Sequence, residues 1–196
     1  IIDEGTLIFN KIRNKDSYIN GETQINANGE LEILLKRDET IKSTITGNGT
    51  FTKSGDSVLT LANNNSNFKG TVNFEEGTMI LSKEGKFFNA ENFNISGSTT
   101  LDLRNDQIDS LNLGNVNLIT GISNLGIDVD LASSTGDYID AKSVSGTGNI
   151  LISDIRVLSD TYYPGTTVHT IDNKSGLSER VSLDESLSRV MGPIYQ

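Results

Sequence analysis

The chain has 196 residues, a formal net charge of −10 and no cysteine. The negative charge disfavours binding to nucleic acid and to anionic lipid, because both are polyanions. The absence of cysteine excludes a disulfide framework and thiolate ligation of a metal. Only 35% of the residues are hydrophobic, yet Leu, Ile, Val and Phe recur along the whole chain, which indicates a thin, elongated core rather than disorder.

Apolar residues alternate with polar ones in short runs along most of the chain. An early run contains Leu31, Ile33 and Leu35, and strict alternation of this kind is typical of a half-buried strand. Glycine, Asn, Asp and Ser separate the runs, which predicts frequent turns. Later runs contain Leu59 and Leu61, Val72 and Phe74, Phe93 and Ile95, Leu101 and Leu103, Leu111 and Leu113, Ile127 and Val129, and Ile150 and Ile152.

Many short strands fit either an antiparallel sandwich or barrel, or a solenoid. Internal repetition favours the solenoid: residues 5–9 (GTLIF) recur as residues 77–81 (GTMIL), and residues 45–50 (ITGNGT) recur as residues 144–149 (VSGTGN). We therefore predict an all-β, right-handed, single-stranded parallel β-helix. Its rungs should have roughly 20–25 residues, giving about eight or nine coils. Stacked Asn and Thr at the corners should form ladders of side-chain hydrogen bonds.

One segment near the C-terminus departs from the strand pattern. Ser182 and Glu185 have the spacing of a capping box, and Leu183, Leu187 and Val190 would then share one helical face, which Met191 continues. A short helix and an irregular strand or capping hairpin both remain consistent with this segment.

Residues 45–81 contain five motifs in a fixed order. They are a glycine-spaced strand at 45–50, a Lys-Ser-Gly turn at 53–55, a Leu-Thr-Leu strand at 59–61, a Phe-Lys-Gly corner at 68–70 and a Gly-Thr-Met-Ile-Leu strand at 77–81. In this order they resemble the autotransporter-associated β-strand repeat, so residues 41–81 look like part of a bacterial type V secretion passenger.

A second resemblance lies in residues 111–184. Its motifs occupy residues 127–131, 136–139, 145–148 and 150–153, and they are similar to the C-terminal region of pertactin-like passengers. In that family the region caps the β-helix and helps the passenger fold outside the cell. The resemblance implies repeat-bearing rungs at residues 1–110, continuous with a capping, autochaperone-like region at residues 111–196.

The two resemblances imply a surface-displayed or secreted protein, exported through the outer membrane, that acts as a structural stalk or adhesin. Its expected partners are a host-cell protein, a matrix protein or a glycan, together with the passenger's own C-terminal β-barrel outside this chain. We expect no nucleic acid, no direct membrane insertion, no metal, no cofactor and no enzymatic activity.

The alternative function is a polysaccharide-degrading β-helix enzyme that uses a pair of carboxylates. Asp128 and Asp130 flank Val129, so they would lie on one strand face, roughly 7 Å apart. Alternation with Ile127 and Val129 predicts that both carboxylates point outward, where acidic side chains are common.

Two other sites invite a catalytic interpretation. Residues 55–57 (Gly-Asp-Ser) match a short serine-hydrolase motif, but a nucleophilic Ser57 would need a base, and His169 is the only histidine. We predict a turn at residues 55–57 and a surface strand position for His169, since a metal would need further ligands.

Two aromatic pairs are candidates for a binding surface. They are Phe87 with Phe88, and Tyr162 with Tyr163. In an extended segment one ring of each pair would face away from the core and could contact a sugar or a protein.

Overall fold

The computed structural model describes residues 1–11, 19–159, 161, 163–172 and 174–187. These residues contain fifteen strands and one 3₁₀ turn, at Ser178–Arg180. The strands are β1 (Ile2–Lys11), β2 (Asn20–Leu35), β3 (Glu39–Gly47), β4 (Thr50–Ser54), β5 (Val58–Leu61), β6 (Thr71–Phe74), β7 (Thr78–Leu81), β8 (Asn92–Ile95), β9 (Thr100–Asp102), β10 (Ser110–Leu118), β11 (Ile122–Asp130), β12 (Thr135–Gly136), β13 (Tyr138–Gly146), β14 (Asn149–Val157) and β15 (Val181–Leu183).

The strands form one sheet that coils into a parallel β-solenoid of about 6 turns. Its first face stacks β1, β2, β4, β6, β8, β10 and β13, and its second face stacks β3, β5, β7, β9, β11, β14 and β15. Among the strands of the described residues, only β12 pairs in the antiparallel sense, with β11. The predicted all-β parallel solenoid is therefore confirmed. The sheet continues without interruption across residues 110 and 111, where the sequence motifs change from the repeat to the capping region.

The core is a column of apolar side chains, one above another, at paired positions of successive rungs. On the first face Leu31, Phe51, Val72, Phe93 and Val116 lie in register, and each is at most 1% exposed. Full burial of one such side chain contributes roughly 1.5–3 kcal/mol. Because each rung covers its neighbour, the stack depends on continuity from rung to rung.

The number of coils is smaller than the eight or nine predicted, because the rungs lengthen toward the C-terminus. Asn73 and its partner Asn94 are 21 residues apart, and Asn94 and Asn117 are 23 apart. The next step, from Asn117 to Ser145, takes 28 residues. After β14 the described residues add only β15 to the stack.

The residues after β14 cover the C-terminal end of the column. Leu177 is fully buried, and Ile171 forms an isolated bridge with Ile139 of β13. Val168 also packs against the core. Across the described ranges, no helix is long and apolar enough to cross a membrane.

The predicted capping box at Ser182 is wrong, because Ser182 lies inside β15. A helical turn begins after Asp184 instead, and Asp184 Oδ1 accepts the backbone N–H of Ser186 at 2.8 Å. Asp184 therefore supplies the side-chain cap that the sequence motif assigned to Ser182. Val190 and Met191 lie outside the described residues.

Candidate functional site

The outward side of the first face carries two columns of uncharged polar side chains, which we call the polar ladder. The strand pairings along it contain no bulge. None of its members is charged, although 21% of the residues in the chain are charged. The polar ladder has ten members on β4, β6, β8, β10 and β13: Thr50 and Thr52, Thr71 and Asn73, Asn92 and Asn94, Asn115 and Asn117, and Ser143 and Ser145.

Hydrogen bonds run from rung to rung along one column from Thr52 to Ser145, and along the other from Thr71 to Ser143. Asn73 Nδ2 donates to Thr52 Oγ1 at 3.2 Å, and Asn94 Nδ2 donates to Asn73 Oδ1 at 2.9 Å. Asn117 Nδ2 then donates to Asn94 Oδ1 at 3.3 Å. We predicted such ladders at the corners, whereas the structure forms this one along the strands. In-register side chains there lie only about 4.8 Å apart, which is within reach of an amide.

We expect Asn94→Ala to lower the free energy of unfolding by about 1 kcal/mol, because it removes two hydrogen bonds of a half-exposed side chain. Urea unfolding followed by circular dichroism would measure the change. Asn112→Ala is the matched control, since Asn112 is exposed on β10 outside the polar ladder. Equal effects of the two substitutions would show that the ladder adds no stability.

The candidate pair Asp128 and Asp130 is not brought together on an exposed surface. Asp128 is fully buried, whereas Asp130 is partly exposed and its Oδ1 accepts the N–H of Ala132 at 3.0 Å. Alternation along β11 is kept, since Ile127 and Val129 belong to the apolar core and Asp128 lies on the opposite side of the strand. Its predicted exposure is nevertheless wrong, because Asn105 and Asp106 of the preceding rung cover its carboxylate.

Asp128 binds the backbone of the preceding rung. Its Oδ2 accepts the N–H groups of Asn105 and Asp106, both at 2.8 Å. Its Oδ1 has no hydrogen-bond partner and lies 3.7 Å from Nε of Arg156. Burial raises the pKa of Asp128, while the two N–H groups and Arg156 act in the opposite direction.

Asp137, which lies in the motif at residues 136–139 but was not predicted as a site residue, completes a buried carboxylate cluster with Asp109 and Asp128. Its two oxygens accept the backbone N–H groups of Asp109 and Asp128, each at 2.7 Å. Asp109 in turn accepts a hydrogen bond from Asn105 Nδ2 at 2.7 Å. Burial raises the pKa of Asp137 to about 7, and the neighbouring Asp128 and Asp109 add to the shift.

This buried carboxylate cluster fixes the loop before β10 against the next rung. Its oxygens point at backbone N–H groups, so they act as caps for buried donors rather than as an open acid–base pair. Within the described part of the chain, no group of three or more His, Cys, Asp or Glu side chains could hold a metal ion.

Lys53, the first residue of the Lys-Ser-Gly motif, is a buried cation that was not predicted as a site residue. It occupies an inward position between Ile33 and Phe74 and is fully buried. Its Nζ donates to the carbonyl oxygens of Ser54 at 3.1 Å, Gly55 at 2.5 Å and Glu76 at 2.9 Å. Burial lowers its pKa to about 8, although the charges of Glu76 and Asp56 oppose the shift. Lys53 therefore ties together the corners of two successive rungs.

Phe87 and Phe88 do not form a binding surface, because both lie in the core. They are 6% and 1% exposed. The Phe88 ring centroid lies 4.9 Å from that of Phe51 and 5.5 Å from that of Phe68. Residues 87–90 form no strand, so the two rings need not point in opposite directions. Of the second pair, Tyr163 is 70% exposed and Tyr162 lies outside the described residues.

Residues 55–57 form the corner between β4 and β5. Gly55 has a φ of +76°, and a Cβ at this position would lie 2.1 Å from the carbonyl oxygen of Leu35. The glycine thus serves the turn and the close approach of two rungs. Ser57 Oγ contacts Asp56 Oδ1 at 3.5 Å, and His169 is exposed beyond β14.

Comparison of the chain with known protein families, with curated proteins and with solved structures finds no match. The resemblance of residues 41–81 and 111–184 to autotransporter passengers is therefore carried by their motifs and by a solenoid fold that is compatible with such a passenger.

Proposed function

We propose that this chain is a stalk-like, adhesin-like segment of an autotransporter passenger, exported through the outer membrane and exposed on the cell surface or released from it. It acts without catalysing a reaction. The observation that carries the proposal is the unbroken in-register stack of β4, β6, β8, β10 and β13 over one apolar column. Such a stack gives a slender body whose length grows by about 4.8 Å per rung.

The repeat motifs support the export part of the proposal. The Lys-Ser-Gly motif at residues 53–55 supplies the Lys53 corner contacts, and the Phe-Lys-Gly motif at residues 68–70 places a fully buried Phe68 in the core. Each rung can thus be completed on the previous one, which suits a chain that folds in sequence as it emerges.

The polysaccharide-degrading alternative would need a carboxylate pair other than Asp128 and Asp130. A glycosidase needs two carboxyl groups that both reach the sugar. Asp128 is fully buried and accepts two backbone N–H groups, so only Asp130 is open to a substrate.

A display experiment would test the proposal. The chain would be fused to the β-barrel of an unrelated autotransporter and expressed in a Gram-negative host. We expect antibody to label the chain on intact cells, and protease added outside to leave a resistant fragment containing β4–β13, because the stacked rungs protect their backbone.

Val116→Asp is the control for folding, because it puts a charge into the apolar column where Val116 is 1% exposed. This variant should reach the surface but lose the protease-resistant fragment. Failure of the unmodified chain to reach the surface, or its complete digestion there, would contradict the proposal.

A further inference from the structure

The polar ladder differs from the outward side of the second face. There the positions paired along β7, β9, β11 and β14 include the apolar Ile80 and Leu151 and the charged Asp102. The ladder carries only hydroxyl and amide groups, in a protein whose net charge is −10. The uncharged positions continue over five successive strands, and the nearest charges in the same columns are Glu30 and Glu32 of β2, next to its β4 end.

The ladder also has unused hydrogen-bonding capacity at fixed positions. An Asn amide has two N–H donors and an oxygen with two lone pairs. Along its column Asn94 uses one N–H on Asn73 and one lone pair on Asn117. The remaining groups repeat about every 4.8 Å along the axis and ~7 Å between the columns. The rung-to-rung hydrogen bonds already hold these side chains in place. Binding a ligand would therefore cost the protein little side-chain entropy.

We propose that the polar ladder binds a linear, uncharged polysaccharide laid along the solenoid axis. This inference rests on the proposed function, since the face must be exposed outside the cell. A neutral, hydroxyl-rich polymer matches the repeated donors and acceptors of the ladder. An anionic polymer would be repelled by the net charge, and a cationic one would favour the acidic parts of the surface over the ladder.

The polymer would be recognised through polar contacts. The Phe87 and Phe88 rings, which could have stacked on sugars, are buried in the core. None of the ten ladder positions is aromatic, so the specificity must come from hydrogen bonds.

The test is affinity electrophoresis of the purified full chain through gels that contain dextran, a soluble β-glucan or galactomannan, with anionic hyaluronan as comparison. We expect retardation by at least one of the neutral polymers and none by hyaluronan. The retardation should persist at high salt, because uncharged groups are not screened.

Asn94→Asp should weaken binding about tenfold or more, because it puts an unpaired charge on the ladder. Asn124→Asp is the matched control, since it makes the same change on β11 of the second face and should bind as the unmodified chain does. Ser145→Asp is a second ladder variant at an exposed position, where the fold is least affected. Circular dichroism would check that all three variants are folded.

The proposal is overturned if no neutral polymer retards the chain, if the ladder variants and Asn124→Asp behave alike, or if high salt abolishes the retardation. Sedimentation would reveal whether the ladder instead joins two copies of the chain; a dimer that Asn94→Asp dissociates would also overturn it. The surface-display experiment uses no polysaccharide, so its outcome is independent of this one.

Discussion

Lys53→Met should lower the free energy of unfolding at neutral pH by about 2–4 kcal/mol. Methionine fills similar volume but cannot donate, so three carbonyl oxygens lose a charged donor inside the protein. Methionine also removes the cost of burying an ammonium group, which offsets part of this loss of stability. The expected decrease in the free energy of unfolding is therefore smaller than the summed contribution of three charged hydrogen bonds. Urea unfolding followed by circular dichroism would measure it.

Lys69→Met is the matched control. Lys69 is exposed and donates one hydrogen bond, to the carbonyl oxygen of Ser66 at 3.0 Å. We expect a change within about 0.5 kcal/mol, as is usual for surface substitutions. If both variants were equally stable, the corner contacts of Lys53 would have no structural importance.

Asp137 should make the protein more stable at mildly acidic pH than at neutral pH. Its pKa is about 7 in the folded protein, above the ordinary aspartate value of about 3.9 in the unfolded chain. Between these values the folded state binds a proton that the unfolded state releases, so stability falls as pH rises through this window. We expect the free energy of unfolding to be about 2 kcal/mol higher at about pH 5 than at about pH 7.5.

The trend should reverse in stronger acid. Although burial acts the other way, the hydrogen bonds from Arg104 lower the pKa of Asp102 below its usual value. Protonation of Asp102 below about pH 4 therefore removes stability. Unfolding curves collected across this pH range should show a maximum between the two effects.

Asp137→Asn should remove most of the dependence between about pH 5 and pH 7.5, because the side chain no longer titrates. It should also destabilise the protein at acidic pH by about 2 kcal/mol, since an NH₂ group would face the N–H of Asp109 or Asp128. Asp140→Asn, on the same strand β13, should keep the dependence of the unmodified chain. Stability that rises from pH 5 to pH 7.5 would contradict this assignment.

The main features of the fold could be predicted because its core is periodic. Leu31 and Ile33 alternate with polar neighbours, and the recurrence of residues 5–9 at 77–81 indicated stacking of similar units. The number of rungs could not be predicted, because the loops lengthen in the C-terminal rungs without altering the alternation within strands.

The site predictions failed where contacts between rungs or irregular segments decide burial. Asp128 was expected to be exposed, but Asn105 and Asp106 of the preceding rung cover its carboxylate. Phe88 was expected to belong to an extended segment and instead lies in the core outside any strand. Lys53 has a strand position on the apolar face, yet only the meeting of two corners provides its three acceptors. Such contacts arise between rungs and leave no mark in local sequence.

The equal spacing of the central rungs has a consequence for how such a chain can change length. Thr52 and Asn73 are 21 residues apart, and so are Asn73 and Asn94. Excision or duplication of one 21-residue unit would leave every outward side chain outward and every hydrogen-bonded column intact. A single-residue insertion within a strand would reverse the sides of the residues that follow it in that strand. Gain and loss of whole units is thus the mutational route that preserves both core and surface.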